Sequence, residues 1–251
     1  MTSRPPPSLA EQIAAAQDWW REAGPDLAFA DDAQTWLAAA SDDGQGADAA
    51  THLPVDSPAP VPTLIGGGSA AWPRDLAEFQ QWWAANASLD SGGTHPRVAP
   101  RGPQGAPLAV LVAMPEAGDT ETLLSGPQGR LIAAIADALA LAPEDLYLAS
   151  ALPRHAAMPD WNALHSQGLG QLLLHHLQLA APRRLLILGR DVLSLLGHDP
   201  AQSAPGISEI AIQDRQLPLL ASYQPVRLLQ RAQWRAALWQ RLLEWTEGDA
   251  H

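Results

Sequence analysis

The 251-residue chain has no cysteine, and because it also has no lysine, all fifteen of its basic residues are arginine. Without cysteine there is no disulfide, no thiolate zinc site, no iron–sulfur cluster and no cysteine nucleophile. Positive charge is scarce as well. Twenty-seven acidic residues leave a net charge of −12, which disfavours a general polyanion-binding surface. The excess is uneven: residues 1–100 hold four Arg against thirteen acidic residues, whereas 183–251 hold eight against seven. Any DNA contact is therefore expected towards the C-terminal part. Long apolar runs are missing: no stretch approaches the roughly twenty residues a membrane helix needs, and MTSRPPPSLAEQ has no apolar core of signal-peptide length. The expected compartment is the cytoplasm, with no membrane partner.

The length suits one α/β domain with an extension. SLAEQIAAAQDWWREAG and DDAQTWLAAA read as two Ala-rich, acidic helices, the first ending at Gly24 and Pro25, the second capped by Asp31 or Asp32. From Ser41 to about Pro73 the composition turns to Gly, Ala, Asp, Ser and Pro with no sustained apolar period, as in a linker. PRDLAEFQQWWAANAS places Leu76, Phe79, Trp82 and Trp83 at helical spacing after Pro73. The expected organisation is an acidic helical extension over 1–40, a linker over 41–73 and an α/β domain over 74–248.

Beyond Pro107, strand-length apolar runs alternate with helical patterns. PLAVLVAM, DLYLASALP and RRLLILG read as strands, and GRLIAAIADALAL, GLGQLLLHHLQLA and DVLSLLG as helices; ISEIAIQ and LPLLASY are two further strand candidates, followed by one amphipathic helix, LLQRAQWRAALWQRLLEW. The expected fold is a three-layer α/β/α arrangement with a central, mostly parallel sheet of about four strands, preceded by the helical extension. Ligands are then expected at the carboxyl ends of the strands.

The loops there carry the polar residues. After the first strand come Glu116, Asp119 and Glu121; after the second, Ser150, Arg154, His155 and Asp160; after the third, GRD; after the last, SYQPVRLLQR. Four of these segments resemble, in order and spacing, the uracil-DNA glycosylase superfamily in its family 4 form, over roughly residues 107–246. AMPEAGDTETLLSGPQGRLI is similar to that family's acidic loop and PFVGxxGxLL segment, matching at Gly126, Gly129 and Leu131. LYLASALPRH is similar to its Asn-ended strand, PRRLLILGRDVLSLLG to its P-x-x-ILLLG segment, and QPVRLLQ to its HPAYLLR signature.

The resemblance implies a base-excision scaffold connected with DNA repair. A glycosylase extrudes its base, stacks it, reads its edge and stabilises the charge that develops on sugar and leaving base. The resemblance places the base-contacting positions at Leu124 and Ser150, a backbone-contacting glycine at Gly126 and the family's His position at Gln224, and it sets Ala113-Met114 where the family has Gly-Glu; Glu116 or Asp119 is then the candidate catalytic carboxylate beside Gln224, and Arg154, His155, Arg227 and Arg231 are DNA-backbone candidates from their loop position and charge. The chemical positions differ from the family: Leu124 stands for the stacking aromatic, Ser150 for the uracil-reading Asn and Gln224 for the His, and the four cluster-binding cysteines are absent. No cofactor and no metal are expected. A serine hydroxyl supplies one group where Asn presents a donor and an acceptor, so uracil discrimination is expected to fall. The resulting expectation is a divergent member with reduced or lost uracil excision. Two alternatives stand beside it: a working glycosylase using Asp119 or Glu116 with Gln224, and a non-catalytic module whose Trp-rich acidic N-terminal segment binds a protein partner or covers its own DNA groove.

Other features have plainer readings. His175 and His176 lie adjacent on a helix, about 100 degrees apart, and do not share a ligand. GLG at 168–170 lacks the strand and the third glycine of a dinucleotide site. The pairs Trp19-Trp20 and Trp82-Trp83 are expected to dock helices, with Phe79, Trp82 and Trp83 replacing by packing the loop tie that a cluster gives the family. Arg183, Arg184, Arg190, Arg227, Arg231, Arg235 and Arg241, seven of the fifteen basic residues, would outline a local DNA-backbone footprint.

Overall fold

The computed structural model divides the chain into two compact units, Met1–Ser57 and Pro58–His251. The described residues are 10, 13–15, 18–19, 64–197 and 206–247. Those of the first unit are helical, in line with the first helix read from the sequence; the second acidic helix and most of the linker lie outside the described residues.

The second unit is a three-layer α/β/α sandwich on a five-stranded sheet. The strands are β1 (Leu108–Val112), β2 (Leu146–Ser150), β3 (Leu185–Leu188), β4 (Ile207–Ile212) and β5 (Arg215–Ser222), in the spatial order β2-β1-β3-β5-β4. Four run parallel and β4 pairs antiparallel to β5 at the edge. The expected count of about four is thus exceeded by the β4 hairpin arm. Only Ile210 and Ile212 of β4 are buried, joining the core on one face, while its other four residues are exposed along the edge.

Both faces of β1 to β3 are apolar because both are covered. On one side Ala109, Leu111, Tyr147, Leu185, Ile187 and Leu219 meet α1 (Leu76–Ala85), α4 (Leu169–Ala180) and α5 (Arg190–Leu195). On the other, Leu108, Val110, Leu148, Leu186 and Leu188 meet α2 (Pro127–Ala138), α6 (Pro225–Gln230) and α7 (Ala232–Glu247). Each such leucine contributes roughly 1.5–3 kcal/mol by leaving water. The remaining helix, α3 (Trp161–Ser166), was not visible as a periodic pattern; it forms because Asp160 accepts the Ala163 N–H at its start.

Three boundaries differ from the sequence reading, each for a local reason. Helix α1 begins at Leu76 because the Asp75 carboxylate accepts the N–H groups of Ala77 and Glu78. The domain extends back past residue 74 into the segment read as linker: Ile65 is buried, and its N–H donates to the Gln167 carbonyl. The single tail helix is two, broken at Arg231, whose backbone is extended (φ −127°, ψ 103°); the Arg235 guanidinium donates to the freed carbonyls of Leu228 and Leu229 at 2.7 and 2.9 Å.

Helix α1 docks through aromatic contact. Phe79 and Trp83 are fully buried, with Phe79 4.4 Å from the His176 ring and 5.7 Å from Trp83. Trp82 is only partly buried. Complete burial and the adjacent His175 ring push the His176 imidazole down to about 3, so it is neutral, and its Nε2 shares a 2.6 Å hydrogen bond with the Tyr147 hydroxyl.

Candidate functional site

The four parallel strands end level: Ser150, Val112, Leu188 and Ser222 stand in one row across the sheet. Chain connections leave β1 in one direction towards β2 and arrive at β3 in the other, so the carboxyl end of β1 is the switch point at which α/β folds bind ligands. A cleft of about 280 Å³ opens there, with walls from Met114, Ala156, Ala157 and Val226 and three polar side chains, Gln128, His155 and Gln224.

The acidic loop after β1 does not put its carboxylates into this cleft as free groups. Glu116 is 7% exposed and accepts the N–H groups of Gly126, Gln128 and Gly129 at 3.0 to 3.2 Å, capping α2. Asp119 is 2% exposed and accepts the N–H groups of Glu116, Leu124 and Ser125 and the Ser125 hydroxyl at 2.7 to 2.9 Å. Six backbone donors and one hydroxyl thus converge on two side chains, winding the loop around them. Two glycines permit this: a Cβ on Gly126 would lie 2.6 Å from Glu116 Oε2, and one on Gly129 only 1.8 Å from the Leu124 carbonyl oxygen.

The other predicted residues separate into those at the cleft and those away from it. Leu124 is buried in the core beneath the loop with φ at 59°, and so offers no face to a ligand. Ser150 is fully buried and its hydroxyl donates to the Leu152 carbonyl at 2.7 Å. Arg154 donates to Asp90 at 2.9 Å and to the carbonyls of Gly93 and His95, and its side chain is 13% exposed. It serves as a strut for the loop preceding β1, not as an available phosphate contact. Arg97 shares Asp90; burial raises the Asp90 carboxyl, but the hydrogen bonds from Arg97, the Gly92 N–H and Arg154 outweigh it and hold the group below its ordinary value.

His155 and Gln224 do meet at the cleft. His155 Nδ1 lies 3.0 Å from the Pro115 carbonyl, and the Gln224 side-chain amide donates to Asp191 Oδ2 at 3.0 Å. Arg227 and Arg231 are exposed on α6 and just after it, beyond the cleft residues Pro225 and Val226; Arg231 lies 5.9 Å over the Trp234 ring, which stacks on Tyr223 at 4.4 Å. Sequence reasoning missed Gln128, Asp191 and Met114 as site residues. Asp191 alone had a signal, as the acidic residue of GRD directly after the third strand.

A larger groove, about 560 Å³, lies between Leu64, Leu89, Met158 and α3. Its two carboxylates are both committed, Asp90 to the arginines and Asp160 to the cap of α3. The iron–sulfur cluster that the resemblance implies has no thiolate ligand in this chain, so the residues present do not fit it. Among the described residues no three His, Asp or Glu side chains converge as a metal site. No helix among them is long and apolar enough to cross a membrane. No protein-family model matches the chain, and no curated protein matches it.

Proposed function

We propose that the α/β unit is a divergent uracil-DNA glycosylase-like protein connected with DNA repair, in which uracil excision is reduced or lost. One observation carries this reading: Glu116 and Asp119, the two buried carboxylates of the acidic loop, are saturated by backbone donors, its third, Glu121, is exposed outside the cleft, and no charged side chain lines the cleft. Hydrolysis of an N-glycosidic bond calls for a carboxylate that can orient water or face the developing positive charge. Here the lone pairs of Glu116 and Asp119 are spent on the fold.

Support for the scaffold comes from the parallel order β2-β1-β3-β5 and from the meeting of the post-strand loops at one cleft. Support for DNA as partner comes from Arg227 and Arg231, which are exposed beside that cleft in an otherwise acidic chain. Fluorescence anisotropy with single-stranded and duplex DNA at low salt tests this. Binding should weaken with rising salt, and Arg227→Ala and Arg231→Ala should each reduce the slope of log K against log salt by about one. No measurable binding at low salt would refute DNA as the partner.

A further inference from the structure

The hydrogen-bonding polarity of the cleft is fixed by groups around it. A carboxylate can only accept, so Asp191 Oδ2 at 3.0 Å requires the NH₂ end of Gln224 on its side and leaves Oε1 as the acceptor of that amide. A backbone carbonyl can only accept as well. The Pro115 carbonyl at 3.0 Å therefore holds the proton of His155 on Nδ1, and the neutral ring keeps Nε2 as an acceptor. The backbone donors of the neighbouring loops point away from the cleft. The N–H groups of Glu116, Leu124, Ser125, Gly126, Gln128 and Gly129 all turn inward to the two loop carboxylates, and those of Ala151 and Leu152 donate to Val112 and Ala113. Of the three polar side chains of the cleft, two therefore have a fixed acceptor, Gln224 Oε1 and His155 Nε2, while the Gln128 amide can turn either end to a ligand. The volume of about 280 Å³ falls just under the usual range for small-molecule sites and suits a single heterocycle between apolar walls.

We infer that this cleft selects a planar base bearing an exocyclic amino group, of the cytosine or adenine type, and discriminates against uracil and thymine, whose carbonyl edges would face acceptors. The inference rests on the nucleic-acid reading above. Gln224 and His155 contact the base, and Asp191 is a positioning residue that sets which end of the Gln224 amide faces inward.

The test uses the full chain and oligonucleotides of abasic tetrahydrofuran residues carrying one base, cytosine, adenine, uracil or thymine, with binding followed by anisotropy at pH 8 and low salt. The cytosine and adenine probes should bind about tenfold more tightly than the uracil and thymine probes. Asp191→Asn, whose side chain can also donate and so lets the Gln224 amide turn, should bring the four within about twofold of one another while leaving the melting temperature close to that of the parent. Gln224→Met, similar in length but without the acceptor, should also abolish the preference. Equal or tighter binding of uracil and thymine would overturn the inference and leave the DNA reading intact. Failure of every probe to bind would remove the DNA reading, and this inference with it.

Discussion

Asp119→Asn is nearly isosteric, yet it should be among the more damaging single changes in the α/β unit. The Oδ2 atom accepts two backbone N–H groups, from Glu116 and Leu124, and Oδ1 accepts the Ser125 N–H and hydroxyl. An asparagine has one carbonyl oxygen, so its NH₂ must face one of these pairs. The cheaper orientation turns it towards Ser125, whose hydroxyl can rotate to accept, and leaves the Ser125 N–H facing a donor. A part-buried N–H without a partner costs about 1–3 kcal/mol, and the two bonds that remain lose the reinforcement of charge. The sum is about 3–5 kcal/mol, a large share of the 5–15 kcal/mol of a typical domain. Urea unfolding followed by tryptophan fluorescence reads this directly. A loss below about 1 kcal/mol would refute the argument that this carboxylate is a structural hub.

Three further outcomes are expected. Gly129→Ala should cost about 3 kcal/mol or more in the same urea assay, because its Cβ would fall 1.8 Å from a backbone oxygen, and a near-neutral effect would contradict the packing described. Stability should fall as the pH drops below 6.5: folded His176 stays neutral down to about 3 while the unfolded chain takes up the proton, so about 1.4 kcal/mol is lost per pH unit, roughly 2 kcal/mol by pH 5, and is restored above 6.5. Comparing urea midpoints of the parent and His176→Gln at pH 7 and pH 5 isolates this contribution, and equal slopes would disprove it. Trp83→Ala should cost about 3–5 kcal/mol and Trp82→Ala clearly less, whereas Trp83→Phe should stay within about 1.5 kcal/mol because the Trp83 indole N–H has no partner to lose; calorimetric melting checks the order.

The layered fold was legible because its causes are local and repeated: continuous apolar runs such as Leu108–Val112, too short for a buried helix and alternating with helical patterns, read as strands buried on both faces, and Leu169–Ala180 carries a helical period. The post-strand loops were legible as the place where a cleft opens for the same reason. What the acidic residues do was not. Glu116 and Asp119 read as candidate acids from their place in the chain, but their roles depend on a loop that curls back to bring the N–H groups of residues 124–129 onto them, a contact no periodicity encodes. Arg154 was read as a phosphate contact because Asp90, its partner, lies sixty-four residues away. The break at Arg231 likewise depends on Arg235 reaching back to two carbonyls, which neither proline nor glycine announces.

Uracil excision is the most direct measurement: purified protein in stoichiometric amount against single- and double-stranded DNA carrying one uracil, read by strand cleavage in alkali, with Gln224→Ala alongside. The account predicts no cleavage above a protein-free control for either protein, because no free carboxylate faces the cleft. Cleavage by the parent that Gln224→Ala abolishes would contradict it and place a working glycosylase at the end of β1.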